Sequence, residues 1–429
     1  MDIKLMHPAD QLVTIMDRIY HYGMTTTSGG NLSIKDDNGD IWITPGGIDK
    51  GTLSRDDIIL IKADGTVIGP HKPSSELPFH LDVYKRRPDV RAVLHAHPPA
   101  LIAFSAVRKL PDISLIPNAN IICGKVEYAP YDVPGSKQLG EKIADVFDKG
   151  INTVMLENHG VVLAQKDLFA AFMAFETLEY CARLQINALK IGTPHGISEK
   201  HMEIAKKKNN VELEEYTAES YSSVEREARS KICELIHRAY DQQLFTATQG
   251  TFSERIDGNN FIITPYGVDR KYIEPKDLVR IEDGKKEAGT NPSRSVLLHK
   301  HIYETHPEIN AIIVAHPPNI MAFAVTDEEF DSKIIPESYI VLRDVKKLPF
   351  GSNFMQPKLT AAELTAKTPV VLIENDCIIA LGDSLINAFD KLEVLEYSAK
   401  AIIETKDLGD IVMINDKEIK ELHEAFNLD

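Results

Sequence analysis

Cysteine is scarce in this chain: four residues in 429, at positions 123, 181, 233 and 377, with no CxxC spacing. That scarcity excludes a disulfide framework and a thiolate metal site, and it predicts reduced thiols in a cytoplasmic protein. Long apolar runs are missing too. None approaches the ~20 residues of a membrane-spanning helix, so no membrane partner is expected. The opening, from Met1 to Pro8, lacks the basic-then-apolar pattern of a signal peptide. Positive charge is in deficit, with 48 Lys and Arg against 64 Asp and Glu and a net charge of -16. A phosphate-backbone binder needs a basic face, so no nucleic-acid partner is expected. The short clusters Lys206-Lys207-Lys208 and Lys346-Lys347 read as solvated surface. What remains is 43% hydrophobic and 26% charged, an ordinary globular composition long enough for two or three domains.

The chain repeats itself. Val93-Leu94-His95-Ala96-His97-Pro98-Pro99 returns as Ile312-Ile313-Val314-Ala315-His316-Pro317-Pro318, which pairs His97 with His316 and His95 with Val314. Thr27-Ser28-Gly29-Gly30-Asn31-Leu32-Ser33 returns as Ala247-Thr248-Gln249-Gly250-Thr251-Phe252-Ser253. Ile43-Thr44-Pro45-Gly46-Gly47-Ile48-Asp49 returns as Ile263-Thr264-Pro265-Tyr266-Gly267-Val268-Asp269. Leu156-Glu157-Asn158-His159-Gly160 returns as Ile373-Glu374-Asn375-Asp376-Cys377, and both runs lead into Leu-Glu-Tyr at 178–180 and 395–397. Copies of about 210 residues are too long for solenoid units and imply a domain duplication. The expected domains are 1–215 and 216–429, with the seam in the Lys- and Glu-rich stretch 195–220.

Within a copy, helical and strand patterns alternate. An opening helix is expected over 8–22, with strands at Asn31–Ile34, Asp40–Ile43 and Ile58–Lys62, and a hairpin turn at Ala63-Asp64-Gly65-Thr66. A helix over 76–86 follows, then a strand at Arg91–His97. Gly135–Asp148 reads as helix, Thr153–Leu163 as one strand, and 167–190 as a long helix. Tight hairpins beside long helices predict an α/β fold with an antiparallel or mixed sheet covered by helices.

Several of these residues could do chemistry. His95 and His97 sit two apart on a strand and so face one way, where both imidazoles can reach one ion. Each alone is an ordinary residue: an HxH pair also occurs at surfaces, His159 is a plausible turn residue, and Glu76 suits a first helical turn. Together they make a three-histidine, one-carboxylate set. In the second copy Glu76 is replaced by Ser295, His95 by Val314 and His159 by Asp376, while His80, Tyr84 and Pro88 persist as His299, Tyr303 and Pro307. Joint loss of the candidates beside a retained scaffold fits one abandoned site. Gly30-Asn31, Thr44 with Gly46, and Ser74-Ser75 offer backbone N–H groups, hydroxyls and an amide, which could cradle an anion. Tyr131, in a loop rich in proline and glycine, could add a phenol.

This ordered set resembles the class II aldolase and adducin family. The resemblance covers the first copy from end to end and the second as a degenerate member. It implies two tandem three-layer α/β/α domains, each around a mostly antiparallel central sheet. It implies that His95, His97 and His159 bind Zn2+ or another divalent ion such as Mn2+, Co2+ or Fe2+, with Glu76 as ligand and general acid/base. Asn31, Gly30, Thr44, Gly46, Ser74 and Ser75 would hold the phosphate of a phosphorylated sugar, and Tyr131 would contact the aldehyde end. The implied reaction is retro-aldol cleavage of a ketose 1-phosphate to dihydroxyacetone phosphate and an aldehyde. A 4-epimerase, a decarboxylase or a dehydratase on the same site, or a non-catalytic adducin-like binding protein, stands as the alternative. Related epimerases usually carry Asp at the Glu76 position. The family's fourfold assemblies imply a homo-oligomer here, a dimer of tandem chains forming a pseudo-tetramer.

Overall fold

The structure, a computed structural model, describes residues 3–428 apart from 209 and 366. Contacts divide the chain into two compact units. The first holds the chain up to Ile113 together with Asn118–Arg183; the second holds Ser114–Pro117 and everything from Leu184 onward. The compact units therefore do not part where the sequence repeat does. Residues 184–215 contribute the helix Glu199–Lys206 to the second unit, and the strand Glu215–Tyr216 joins its sheet.

Eight strands build the first unit's sheet: β1 Asn31–Lys35, β2 Ile41–Ile43, β3 Ile59–Ile61, β4 Val67–Ile68, β5 Ala92–Ala96, β6 Val126–Ala129, β7 Thr153–Leu156 and β8 Gly160–Gln165. Their order is β4-β3-β2-β1-β5-β8-β7-β6. Every neighbouring pair is antiparallel except β6 with β7. The helices Leu77–Arg86 and Lys137–Phe147 cover one face. Their Phe79, Val83, Leu139, Ile143 and Phe147 pack on Ile43, Ile59, Val93, Val154 and Val162. Ser136 starts the second of these helices by accepting the Leu139 N–H. The helix Pro8–His21 packs against β1 and β2. Arg18 of that helix stacks over Phe172 of the long helix Leu168–Ile191, its guanidinium 4.5 Å from the ring centre. Central strands β5, β7 and β8 are apolar at nearly every position because they are covered on both faces.

The second unit repeats the plan with nine strands: β9 Glu215–Tyr216, β10 Thr251–Asp257, β11 Asn260–Ile263, β12 Val279–Glu282, β13 Lys285–Glu287, β14 Ala311–Ala315, β15 Lys346–Leu348, β16 Val370–Ile373 and β17 Cys377–Gly382. Their order is β15-β16-β17-β14-β10-β11-β12-β13-β9. The parallel β6–β7 pair returns as β15 with β16.

Two differences from the sequence reading have local causes. The stretch 153–163 is not one strand. Asn158 adopts φ +53°, which reverses the chain and makes an antiparallel hairpin of β7 and β8. The helix Pro99–Ala106 and strand β6 were not anticipated, because neither carries a periodic pattern long enough to read.

Pro98-Pro99 opens that unanticipated helix, so its first unmet donors are the N–H groups of Ala100 and Leu101. The buried Glu179 accepts both, at 3.1 and 3.0 Å. Glu179 belongs to the repeated Leu-Glu-Tyr, and its counterpart Glu396 likewise accepts the Asn319 and Ile320 N–H groups. The repeat thus ties the long helix to the segment just after each His-Pro-Pro. Burial pushes the Glu179 carboxyl up from 4.5 to about 7, although the two N–H donors and Arg183 pull it back. The folded form therefore holds a proton that the unfolded chain releases near pH 4.5. Glu179 favours folding fully below pH 4.5, and that contribution is lost as pH rises through about 7. We expect Glu179→Gln, which keeps an acceptor without the charge, to remove a stability loss of about 3 kcal/mol between these limits. Denaturant midpoints of both proteins across pH 4–8 check it; parallel curves would show no linkage.

Candidate metal centre

Strand β5 presents the first two histidines. Its register places Asn31 of β1 opposite His95 on one side and Val162 of β8 on the other. His95 is fully buried, and His97 lies half-buried just beyond the end of the strand. Their spacing turns both rings to one face, with the two Nε2 atoms 2.9 Å apart. His95 Nδ1 donates to the Val161 carbonyl at 2.9 Å. A carbonyl can only accept, so the proton sits on Nδ1 and Nε2 faces the site bare.

The β7–β8 hairpin brings in His159. Ser105 Oγ accepts the His159 N–H at 3.1 Å and donates to the Leu156 carbonyl at 2.6 Å, which fixes the turn. Gly160 lets the hairpin approach β5. A Cβ there would stand 2.6 Å from the Ala96 carbonyl oxygen and 2.7 Å from His97 Cδ2. Ligand nitrogens of His95, His97 and His159 all lie within 4.8 Å of one another.

Glu76 completes the cluster from the N-terminus of the helix Leu77–Arg86. It makes no side-chain cap to that helix. Its carboxylate instead turns inward, 8% exposed, with Oε2 3.3 Å from His95 Nε2 and Oε1 3.7 Å from His159 Nε2. Oε2 accepts the Asn31 amide at 2.7 Å, while Oε1 is buried with no hydrogen-bond partner. An unmet buried acceptor costs ~1–3 kcal/mol. Burial pushes His95 down to about 3, helped by the neighbouring His159. Burial takes His97 to about 3 as well, with His95 and His159 adding to the fall. His159 is also lowered by burial, against the pull of Glu76. Three neutral imidazoles beside a carboxylate with a free oxygen fit a divalent cation, which needs deprotonated donors.

Several of the anion-cradle candidates are already engaged by the fold. Gly30 takes φ +74° and passes so close to β5 that a Cβ would lie 2.8 Å from the His95 carbonyl oxygen. Thr44 is fully buried, and its hydroxyl accepts the Leu32 N–H at 3.1 Å. The Gly46 N–H donates to the Lys72 carbonyl. Ser74 accepts the Glu76 N–H at 3.3 Å. Ser75 is exposed, and Asn31 keeps a second amide N–H beyond the one given to Glu76. A Pro45–Pro73 bridge joins the Thr44–Gly47 turn to the Ser74–Ser75 turn. Tyr131 is not packed into the cluster. Its side chain is 53% exposed, and its backbone N–H donates to Glu157. Its loop does reach the cradle, since a Cβ on Gly135 would lie 3.1 Å from the Ser75 carbonyl oxygen.

Lys50 was missed in the sequence. It is 2% exposed and donates from Nζ to the Pro45 carbonyl at 2.7 Å, with burial holding its pKa down. Its counterpart Arg270, equally buried, donates to the Gln249, Gly250 and Pro265 carbonyls. The signal was available, because a cation follows Asp49 and Asp269 in both copies.

The second unit keeps this frame but not the donors. His316 is half-buried, its Nδ1 is buried with no hydrogen-bond partner among the described residues, and burial pushes the ring down to about 4. Beside it stand Val314, 7% exposed, and Asp376, which accepts the Asn353 amide at 2.8 Å. Cys377 replaces Gly160, and its sulfur receives the same Asn353 amide. Among the described residues, His95, His97 and His159 are the one group of three or more His, Cys, Asp or Glu placed to hold a metal ion.

Comparison of the sequence with known proteins finds a family. The profile of the class II aldolase and adducin N-terminal domain matches residues 10–186 and again 230–403. The L-fuculose phosphate aldolase of Methanococcus maripaludis is 37% identical over 190 residues, which span 44% of this chain and 97% of the relative. The 5-deoxy-D-ribulose 1-phosphate aldolase of Bacillus thuringiensis is 31% identical over 211 residues, 48% of this chain and 96% of the relative. The 3-oxo-tetronate 4-phosphate decarboxylase of Haemophilus influenzae is 33% identical over 177 residues, 41% of this chain and 84% of the relative. A solved L-fuculose 1-phosphate aldolase covers 47% of this chain and 95% of its own at 32% identity, with a TM-score of 0.42. Each of these relatives matches less than half of the chain, whereas the profile matches it in two regions. With two mixed α/β units of one plan, the chain belongs to the class II aldolase and adducin family and carries its domain twice.

Proposed function

We propose that the first unit is a divalent-metal aldolase that cleaves a ketose 1-phosphate to dihydroxyacetone phosphate and an aldehyde. The observation that carries this reading is the buried Glu76 carboxylate, with one unengaged oxygen, set against three neutral imidazoles. His95, His97, His159 and Glu76 would hold Zn2+ or another divalent ion such as Mn2+, Co2+ or Fe2+. When bound, that ion supplies Lewis-acid stabilisation of the charge that builds on the substrate oxygens as the carbon–carbon bond breaks. Glu76 moves the proton, and its free Oε1 is the atom suited to it. It takes the hydroxyl proton from the carbon that becomes the aldehyde, and returns a proton to the carbanionic carbon of the three-carbon fragment. The second Asn31 N–H, the Ser75 hydroxyl and the neighbouring turns of Gly30, Thr44, Gly46 and Ser74 bind the phosphate, and Lys50 braces the Thr44–Gly47 turn through the Pro45 carbonyl. Tyr131, on the loop beside Ser75, contacts the aldehyde end. In sequence terms the domains are 1–215 and 216–429; the second is a non-catalytic partner that keeps the shape of the first.

A second reading uses the same parts: loss of carbon dioxide from a 3-oxo acid phosphate also leaves negative charge beside a carbonyl. The Haemophilus influenzae relative bears a decarboxylase name, at an identity close to that of the aldolases. Among the described residues no helix is long and apolar enough to cross a membrane. The assembly expected is a homo-oligomer of two tandem chains; a native mass of one chain would overturn it.

Metal analysis of the purified protein should find about one divalent ion per chain. His95→Ala should remove metal and activity together, and two ions per chain would return the second unit to service. Glu76→Gln should lower kcat by about 10²–10⁴-fold on the cleaved substrate. A panel of ketose 1-phosphates, read by release of dihydroxyacetone phosphate, tests the aldolase. Release of carbon dioxide from a 3-oxo acid phosphate, with no cleavage of the panel, would replace it by the decarboxylase.

A further inference from the structure

A chain of buried polar groups leads away from Glu76 into the fold. Tyr84 OH lies 2.7 Å from Ser33 Oγ, and Ser33 Oγ lies 2.6 Å from His80 Nδ1. His80 Nε2 lies 2.5 Å from Asn31 Oδ1, and Asn31 Nδ2 donates to Glu76 Oε2 at 2.7 Å. His80 and Ser33 are wholly buried, Asn31 and Tyr84 are each 3% exposed, and β1 and the helix Leu77–Arg86 with its N-cap residue Glu76 supply all five residues.

The carboxylate sets the direction of every link. Glu76 can only accept, so Asn31 must turn its NH2 toward it and its carbonyl toward His80. A carbonyl can only accept, so His80 carries its proton on Nε2. Its bare Nδ1 then accepts from Ser33, and Ser33 accepts from Tyr84. Burial keeps the His80 ring neutral, with a single proton to place. We propose that His80 is a positioning residue for Glu76: through Asn31 it holds Oε2 in place and leaves Oε1 as the one unengaged oxygen of the carboxylate. This rests on the metal and proton roles assigned above to Glu76.

The second unit supplies an internal comparison. Tyr303, Ser253 and His299 repeat the first links, each at 2.7 Å. Thr251 stands in place of Asn31, and its hydroxyl turns to Ser293 at 2.7 Å. Ser295 stands in place of Glu76, and His299 Nε2 is buried with no partner. The relay is therefore intact up to the imidazole and ends there. The Tyr–Ser–His links are part of the scaffold in both units. What the first unit adds is a receiver for the ring N–H, and through it a fixed carboxylate.

Three readouts test the assignment on the full-length holoenzyme. Histidine-selective 15N spectra, with the His80 signals identified by their loss in His80→Gln, should show protonated Nε2 and bare Nδ1. The opposite tautomer would overturn the relay. His80→Leu should lower kcat about 10–100-fold with little change in KM, His80→Gln should recover most of it, and His299→Leu should leave both constants alone. A fall of similar size in His299→Leu would make the imidazole merely structural. Chelator competition reads the relay without turnover: divalent-ion affinity should fall about tenfold or more in His80→Leu and not in His299→Leu. Equal affinities in both would overturn it. If His80→Leu does not fold, Ser33→Ala takes its place in both measurements. An active-site reading that fails shows as a wild-type protein inert toward the substrate panel, while the tautomer and affinity measurements still decide the relay.

Discussion

A carboxylate held out of water sets the terms for the first unit. Glu76 sits 8% exposed among imidazoles that burial keeps neutral, so none of them is a standing counter-charge. One oxygen accepts from Asn31; the other has no hydrogen-bond partner among the described residues. Burying a charge on such terms is unfavourable unless a cation or a proton completes the site. The surrounding features serve that arrangement. Gly160 lets the hairpin close on β5, Ser105 fixes the turn that bears His159, and Val161 sets the His95 proton. Where the carboxylate is gone, in the second unit, the pocket fills with Val314, Asp376 and Cys377.

The duplication separates scaffold from site. Features common to both units are shape-bearing: the sheet order from β15 to β13, the buried cation at Lys50 or Arg270, the Glu cap at 179 or 396, and the Tyr–Ser–His links. Features present in one unit are the candidate ligands Glu76, His95 and His159, with Asn31 beside them. His97 alone does not mark the site, since His316 is retained in a pocket without the other donors.

Much of the fold was legible because its strands alternate or run apolar and its helices repeat at the right period. The opening helix, the first three strands, the β5 run and the long helix at 167–190 follow such patterns. The break at Asn158 was missed although Glu157-Asn158-His159-Gly160 interrupts the apolar run with residues that suit a turn. Strand β6 was missed because it pairs parallel to β7 from a short edge segment. The phosphate candidates were less legible still. Hydroxyls and glycines suggest a cradle, yet whether Thr44 or Gly46 is already occupied depends on Leu32 and Lys72, which lie in other elements.

The sequence by itself determined the duplication, the family resemblance and the set of side chains able to bind a cation, because these are questions of residue type and order. It also marked which copy lost them. The tertiary structure decided what those side chains do to one another. Only the pairing of β1 with β5 sets Asn31 opposite His95, and only the packing of the helix Leu77–Arg86 turns Glu76 inward instead of onto its own helix. Directions of hydrogen bonds, free oxygens and proton positions follow from contacts between residues far apart in the chain. No linear pattern encodes those contacts.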